Sequence, residues 1–174
     1  DYRNADIKTY KKTINFLISK NYYVFRMGAL SKPFKDEIKH KKFIDYTEKY
    51  RTEFLDIFLA YRCTFVISTG AGWDSVPLHF FKKPTLYTNI VPYCAINLNI
   101  SKTVFLFKHY VNRKTNKIRS PWHLFEHLFE KKFNVFHKDS YIKNNIKIVD
   151  NSENEIYVAT VEFLKRYKNN FTLN

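Results

Sequence analysis

The residues best suited to chemistry lie in one short run, Ile67-Ser68-Thr69-Gly70-Ala71-Gly72. A continuous apolar, β-rich segment, TFVIS at 64–68, leads into it, and a helical pattern at 73–81 follows. A strand that turns at small residues into a helix N-terminus leaves backbone N–H groups converging on one point, with the helix dipole behind them. That point suits a phosphate or pyrophosphate. Side chains as small as those of Ser68, Thr69, Gly70, Ala71 and Gly72 let the anion reach the backbone. The place agrees with the rule that ligands of open α/β sheets bind beyond the carboxyl ends of the strands. The run is neither a Walker loop, which needs Gly-Lys-Ser/Thr, nor the dinucleotide fingerprint, whose third glycine is missing. A glycine turn after a strand also occurs for structural reasons alone.

Other candidates gather near strand ends. Arg26 stands at the end of a strand beside Gly28, where it reaches a phosphate or base edge or forms a surface ion pair. Asn89, with Pro92 beyond it, follows another strand on the same rim. Lys108, next to His109, ends a third strand and could neutralise a diphosphate. Asp74 lies in the first turn after the glycine run, near a ligand or simply stabilising the helix N-terminus. Arg51, Glu53 and Asp56 flank the site and read as capping or surface pairing.

Several chemistries are disfavoured. His123 and His127 stand four apart, but Leu124 occupies the place where a zincin helix carries Glu. No Asp-x-Asp element is present. Ser68 and Ser75 lack the nucleophile-elbow pattern, and no Ser-His-Asp or Cys-His arrangement follows from spacing. Cys63 and Cys94 show no metal or redox spacing and read as two reduced cysteines of a cytosolic protein.

The elements that must position these residues alternate. Residues 5–20 read as an amphipathic helix capped by Asn4, with Ile7, Tyr10, Ile14, Leu17 and Ile18 at helical spacing. A strand at 22–27, a basic loop broken by Pro33 and a short apolar piece at 43–46 follow. Residues 51–61 form a second helix, with Phe54, Leu55, Phe58 and Leu59 as its expected buried face. After the glycine run come the helix at 73–81, a break at Lys82-Lys83-Pro84 and strands at 85–88 and 103–110. Ser120-Pro121 opens a helix to about Lys132. A strand at 146–149 leads to a last helix at 153–167, where Ser152 and Glu155 make a capping box. The alternation predicts one α/β layered domain spanning 1–174, with a largely parallel sheet flanked by helices.

The chain has 174 residues, 45% hydrophobic, enough for a sizeable core. It contains three glycines, Gly28, Gly70 and Gly72, each expected to mark special backbone geometry. The net charge of +14 opens two readings, nucleic acid or an anionic membrane surface. Arginine, the usual nucleic-acid reader, is sparse and the lysines are scattered, which disfavours nucleic acid and leaves weak attraction to a membrane or phosphate ligand. No apolar run reaches the roughly 18 residues that span a bilayer.

The segment STGAGWDSVPLHFFKKPTLYTN at 68–89 resembles the signature of GT-B glycosyltransferases. In heptosyltransferase-like enzymes a strand ends in Asp-Thr-Gly-Pro, a short helix follows, and Lys-Pro leads into the next strand. That loop holds the diphosphate of a nucleotide sugar. The resemblance covers Thr69, Gly70 and Gly72, Lys83-Pro84 and the strand from Thr85. It departs at Ser68, where those enzymes often carry Asp, and in the absence of His in the following turn, so donor identity does not carry over. YRNADI at 2–7, YVFRMG at 23–28, FIDY at 43–46, RTEFLDIFLAYRCTFVISTGAG at 51–72, NIVP at 89–92 and IKIVDNSENEIYVATVEF at 146–163 together resemble a bacterial family described as glycosyltransferases of surface polysaccharide synthesis. Members of that family are longer.

The resemblance implies a Rossmann-like, GT-B C-terminal domain type, with an N-terminal acceptor domain outside this sequence. It implies a nucleotide-diphosphate sugar as substrate, no cofactor or metal, and a glycan, lipid-linked or lipopolysaccharide acceptor. The expected site has Ser68, Thr69, Gly70, Ala71 and Gly72 on the donor diphosphate, with Arg26, Gly28, Asp74, Asn89 and Lys108 as further donor contacts. The expected place is the cytoplasm, peripheral at the inner face of the membrane, and the isolated chain is expected to be inactive. Two other readings stay open: a basic nucleic-acid-binding α/β domain, and another nucleotide-sugar enzyme such as an epimerase.

Overall fold

A computed structural model describes residues 4–29, 34, 38–91, 102–120 and 133–171. The helix expected after the Ser120 cap, over 121–132, and residues Cys94, Pro92, His123 and His127 lie outside the described residues.

The first helical pattern divides in two. Asp6, not Asn4, caps it: its carboxylate accepts the Lys8 N–H at 2.9 Å and opens a 3₁₀ turn over Ile7–Tyr10. Helix α1, Lys11–Ser19, continues from there and turns Thr13, Ile14 and Leu17 inward. Strand β1, Val24–Arg26, pairs in parallel with β2, Phe43–Asp45. A one-turn helix α2, Tyr46–Lys49, precedes α3, Glu53–Arg62, whose N-cap Thr52 accepts the Leu55 N–H.

The central sheet is parallel and three-stranded. Strands β3, Val66–Ser68, β4, Thr85–Ile90, and β5, Thr103–Phe107, lie in the order β3-β4-β5. Strand β4 is buried almost throughout, as a central strand covered on both faces must be. The run expected as one strand over 103–110 is two. After Lys108 the chain continues as β6, His109–Asn112, which pairs antiparallel with β7, Ile146–Val149. A short helix α4, Lys138–Lys143, precedes β7. Helix α5, Glu153–Lys168, closes the described chain, and its capping box is present as expected.

The fold is therefore mixed α/β, with small, mostly parallel sheets and flanking helices, where one larger parallel sheet was expected. The main core joins the first and last helices to the central sheet: Leu17, Leu86, Phe163 and Leu164 pack together, with Phe65 and Val104 against them. A second core, Val91, Tyr110, Phe133, Val135, Tyr141 and Ile146, fills the space beside β6 and β7.

On α3 the expected buried face is corrected. Leu55 and Leu59 are half-buried and Ala60 is buried, whereas Phe54 and Phe58 face solvent. Apolar residues surround this helix, so periodicity alone does not fix its inner face. The helix expected over 73–81 is instead a 3₁₀ turn, Gly72–Asp74, followed by a π-helical turn, Val76–Phe80. Pro77 has no N–H to give an i→i−4 bond, and Phe81 N–H reaches back five residues to the Val76 carbonyl. Among the described residues no helix is long and apolar enough to cross a membrane.

Candidate functional site

Ser68 ends β3 with its side chain buried. Its hydroxyl accepts the Gly70 N–H at 3.0 Å and donates to Asp74 Oδ2 at 2.5 Å. The first bond bends the backbone into a side-chain-closed turn. The second pins that turn to the 3₁₀ segment that follows. Gly70 sits at φ +80°, and a Cβ there would come within 3.3 Å of Ile90 Cδ1. The positive φ favours glycine at this position, and the close approach to Ile90 adds to that preference. Gly72 differs: a Cβ there meets nothing within 4 Å, so its expected special geometry is not found. Gly28 does adopt such geometry, at φ +150°.

The loop thus formed leaves Gly70, Ala71 and Gly72 exposed beyond the carboxyl end of β3, with Thr69 half-buried. Two of its amides are already engaged: Gly70 N–H by Ser68, and Asp74 N–H by the Ala71 carbonyl at 3.1 Å. A helix of fewer than two turns follows, so its dipole adds little.

Beneath the loop lies Asp74, buried. Burial raises its carboxyl above the ordinary 3.8, opposed by hydrogen bonds from Ser68 and Tyr87, the nearby His79 and the Ser75 N–H. The Tyr87 hydroxyl is pushed up in turn, by burial first and then by the Asp74 charge. Tyr87 therefore keeps its proton and donates it toward Asp74. Trp73 ties the same segment to α3 through its indole N–H, 3.2 Å from the Asp56 carbonyl. Asp56 also pairs with Arg51 at 3.1 Å, a contact that spacing alone left loose.

The remaining expected site residues fall into two other places. Arg26 Nη1 meets Asp45 Oδ2 at 2.8 Å across the β1–β2 pair, and its guanidinium lies 5.6 Å from the Phe34 ring. Strand pairing links β1, which ends two residues before Gly28, to β2 and not to the glycine loop. Asn89 and Lys108 come together instead at a polar seam where β4, β5, β6 and the start of α5 meet. Asn89 lies at φ +55°, at a break in the β4–β5 register, and is buried. Its N–H donates to Asn151 Oδ1 and its Oδ1 accepts the Asn151 N–H, each at 2.7 Å. Its amide nitrogen donates to the Tyr10 hydroxyl at 3.1 Å. Lys108 is 1% exposed and donates to the Asn4 carbonyl at 2.6 Å and to Asp150 Oδ1 at 2.7 Å.

The seam and the loop are connected. Tyr10 and Thr88 hydroxyls share a 2.7 Å hydrogen bond, and Thr88 Oγ1 donates to the Ser68 carbonyl at 3.3 Å. Tyr10, Tyr87, Thr88, Asp150 and Asn151 are participants that sequence reasoning missed. Only the Asp-Asn pair just before the Ser152 cap carried a signal, as polar residues at a strand-to-helix turn. Among the described residues no group of three or more His, Cys, Asp or Glu stands ready for a metal. Cys63 is half-buried, its thiol raised by burial and directed at the Ala60 carbonyl, 3.2 Å away.

No protein-family model matches this chain. No curated protein and no solved structure matches it either.

Proposed function

We propose that this chain is the donor-binding, Rossmann-like domain of a metal-independent GT-B glycosyltransferase, and that its glycine loop holds the diphosphate of a nucleotide sugar. The observation that carries the reading is the exposed Gly70-Ala71-Gly72 backbone beyond the carboxyl end of a parallel strand, braced from below by Ser68 and Asp74. Backbone amides at such a bend are the donors that stabilise charge developing on a leaving diphosphate. With Gly70 and Asp74 amides engaged, the amides of Ala71 and Gly72 are the ones assigned to the anion. Arg26 and Lys108 each face a carboxylate, so in this reading they shape the rim and do not meet the phosphates. The acceptor is a cell-surface glycan or its lipid-linked form, brought by a second domain.

Thermal shift with ADP, GDP, UDP, CMP and their sugars tests the reading. A ligand at about 100 times its Kd adds about 2.7 kcal/mol, or about 5 °C or more for a chain of this size. Gly72→Asp places a carboxylate at the loop where a side chain has room. A shift with one nucleotide that Gly72→Asp removes supports the donor site. Shifts that Gly72→Asp leaves intact place the nucleotide elsewhere and reject it.

A further inference from the structure

Helix α3 is apolar on its outer side as well as its inner side. Phe54, Ile57, Phe58 and Tyr61 recur at the spacing of one helical face and are 73%, 49%, 44% and 55% exposed. The Phe54 and Phe58 rings stack on each other, with centroids 6.0 Å apart. Tyr61 meets Phe81 edge-on at 5.4 Å, which continues the surface to the turn bearing Phe80, 77% exposed. A contiguous apolar surface of this kind marks an interaction site.

Three cations gather at one end of it. Arg62 follows Tyr61 directly, Lys82 follows Phe81, and the Lys83 ammonium lies 5.8 Å from the Tyr61 ring. Between 62 and 83 the chain carries one carboxylate, Asp74, and it is buried. At the other end of the helix Glu53 is exposed, and Asp56 is paired with Arg51.

We propose that this face docks on an anionic lipid surface, with the α3 rings in the headgroup–acyl boundary and Arg62, Lys82 and Lys83 against headgroup phosphates. Aromatic and aliphatic residues on one helical face with cations beside them are the composition that binds such interfaces. A second copy of the chain carries the same charge of +14, which opposes self-association through this face. A nucleic-acid platform needs cations interleaved with the rings, whereas here the cations stand at the rim. The proposal does not depend on the donor-site reading.

The test is co-sedimentation of the full chain with vesicles of phosphatidylcholine, alone or mixed with phosphatidylglycerol. Binding to the mixed vesicles is expected, roughly tenfold or more above pure phosphatidylcholine. Phe54→Ser with Phe58→Ser lowers it by roughly tenfold or more, and so does Lys82→Glu with Lys83→Glu. Thermal midpoints check that each variant folds. As a second readout, Phe54→Trp adds indole emission to that of Trp73 and Trp122, and the difference from the unsubstituted chain moves to the blue on the mixed vesicles. Absent binding, or binding untouched by loss of the rings, overturns the proposal. So does dimerisation that the ring variant abolishes, or single-stranded oligonucleotide binding that depends on Phe54 and Phe58.

Discussion

Asn89 and Asn151 hold each other by two reciprocal hydrogen bonds, the N–H of each donating to the side-chain oxygen of the other at 2.7 Å. The pair closes a gap that strand pairing leaves open, because Asn89 sits where the β4–β5 register shifts. Asn151→Ala removes the acceptor of a buried amide and the donor that reaches the Phe107 carbonyl at 2.7 Å. We expect a loss of about 2–4 kcal/mol in urea unfolding. Asn89→Gly keeps the left-handed backbone and the N–H that donates to Asn151, but loses the side-chain oxygen that accepts the Asn151 N–H. The double variant is expected to cost less than the sum of the two. Strict additivity would show that the pair is not coupled.

Lys108 and Asp150 are paired but unequal, since the lysine side chain is 1% exposed and the aspartate 42%. Asp150→Ala takes a carboxylate from a buried ammonium, and a cost of about 3 kcal/mol is expected. Lys108→Met removes the buried charge itself and leaves Asp150 to water. It is expected to cost distinctly less. Equal unfolding midpoints for the two variants would contradict this asymmetry.

Gly70 and Gly72 stand two residues apart yet should respond differently to alanine. Gly70→Ala forces a side chain into a left-handed backbone at φ +80° and against Ile90 Cδ1. A loss of about 1–2 kcal/mol is expected, roughly 2–8 °C in thermal midpoint. Gly72→Ala finds open space and is expected to be neutral or stabilising by up to about 1 kcal/mol. Differential scanning calorimetry of the two variants decides the matter.

Two carboxyls give the pH dependence of stability opposite signs. Asp74 is raised from 3.8 by burial, so between that value and its raised one the native state keeps a proton that the unfolded chain has released. Stability falls as pH rises through this window and is level above it. At Glu155 burial also pushes upward, but the Ser152 N–H and hydroxyl together with His109 outweigh it and hold the carboxyl below 4.5. Its stabilisation is in place above 4.5 and is lost as pH falls through the lowered value. Unfolding midpoints from acid to neutral pH should show Asp74→Asn losing the first slope and Glu155→Gln losing the second. Curves parallel to the unsubstituted protein in either variant would refute that assignment.

Much of the local structure was legible because local chemistry decides it. Ser152 and Glu155 announced the start of α5, and TFVIS announced a strand, which forms over its last three residues, Val66–Ser68, at the edge of the central sheet. Where two patterns were equally satisfied, sequence could not choose. The outer ring face of α3 and its inner leucines obey the same spacing, and packing against the rest of the chain selected between them. The 3₁₀ and π turns after the glycine loop follow from Pro77 and from the Ser68–Asp74 bond, and that bond depends on tertiary burial. Of the expected site residues, the glycine loop lies at a strand end as anticipated. The partners that occupy Arg26, Asn89 and Lys108 are distant in sequence and left no pattern to read.

The ten residues of Thr103–Phe107, Lys108 and His109–Asn112 hydrogen-bond first to one sheet and then to another. A run shared in this way joins the two sheets through one continuous stretch of backbone. Amides of β5 and β6 should accordingly lose protection as one cooperative unit, with Lys108 as the joint through which partial opening on either side is felt on the other.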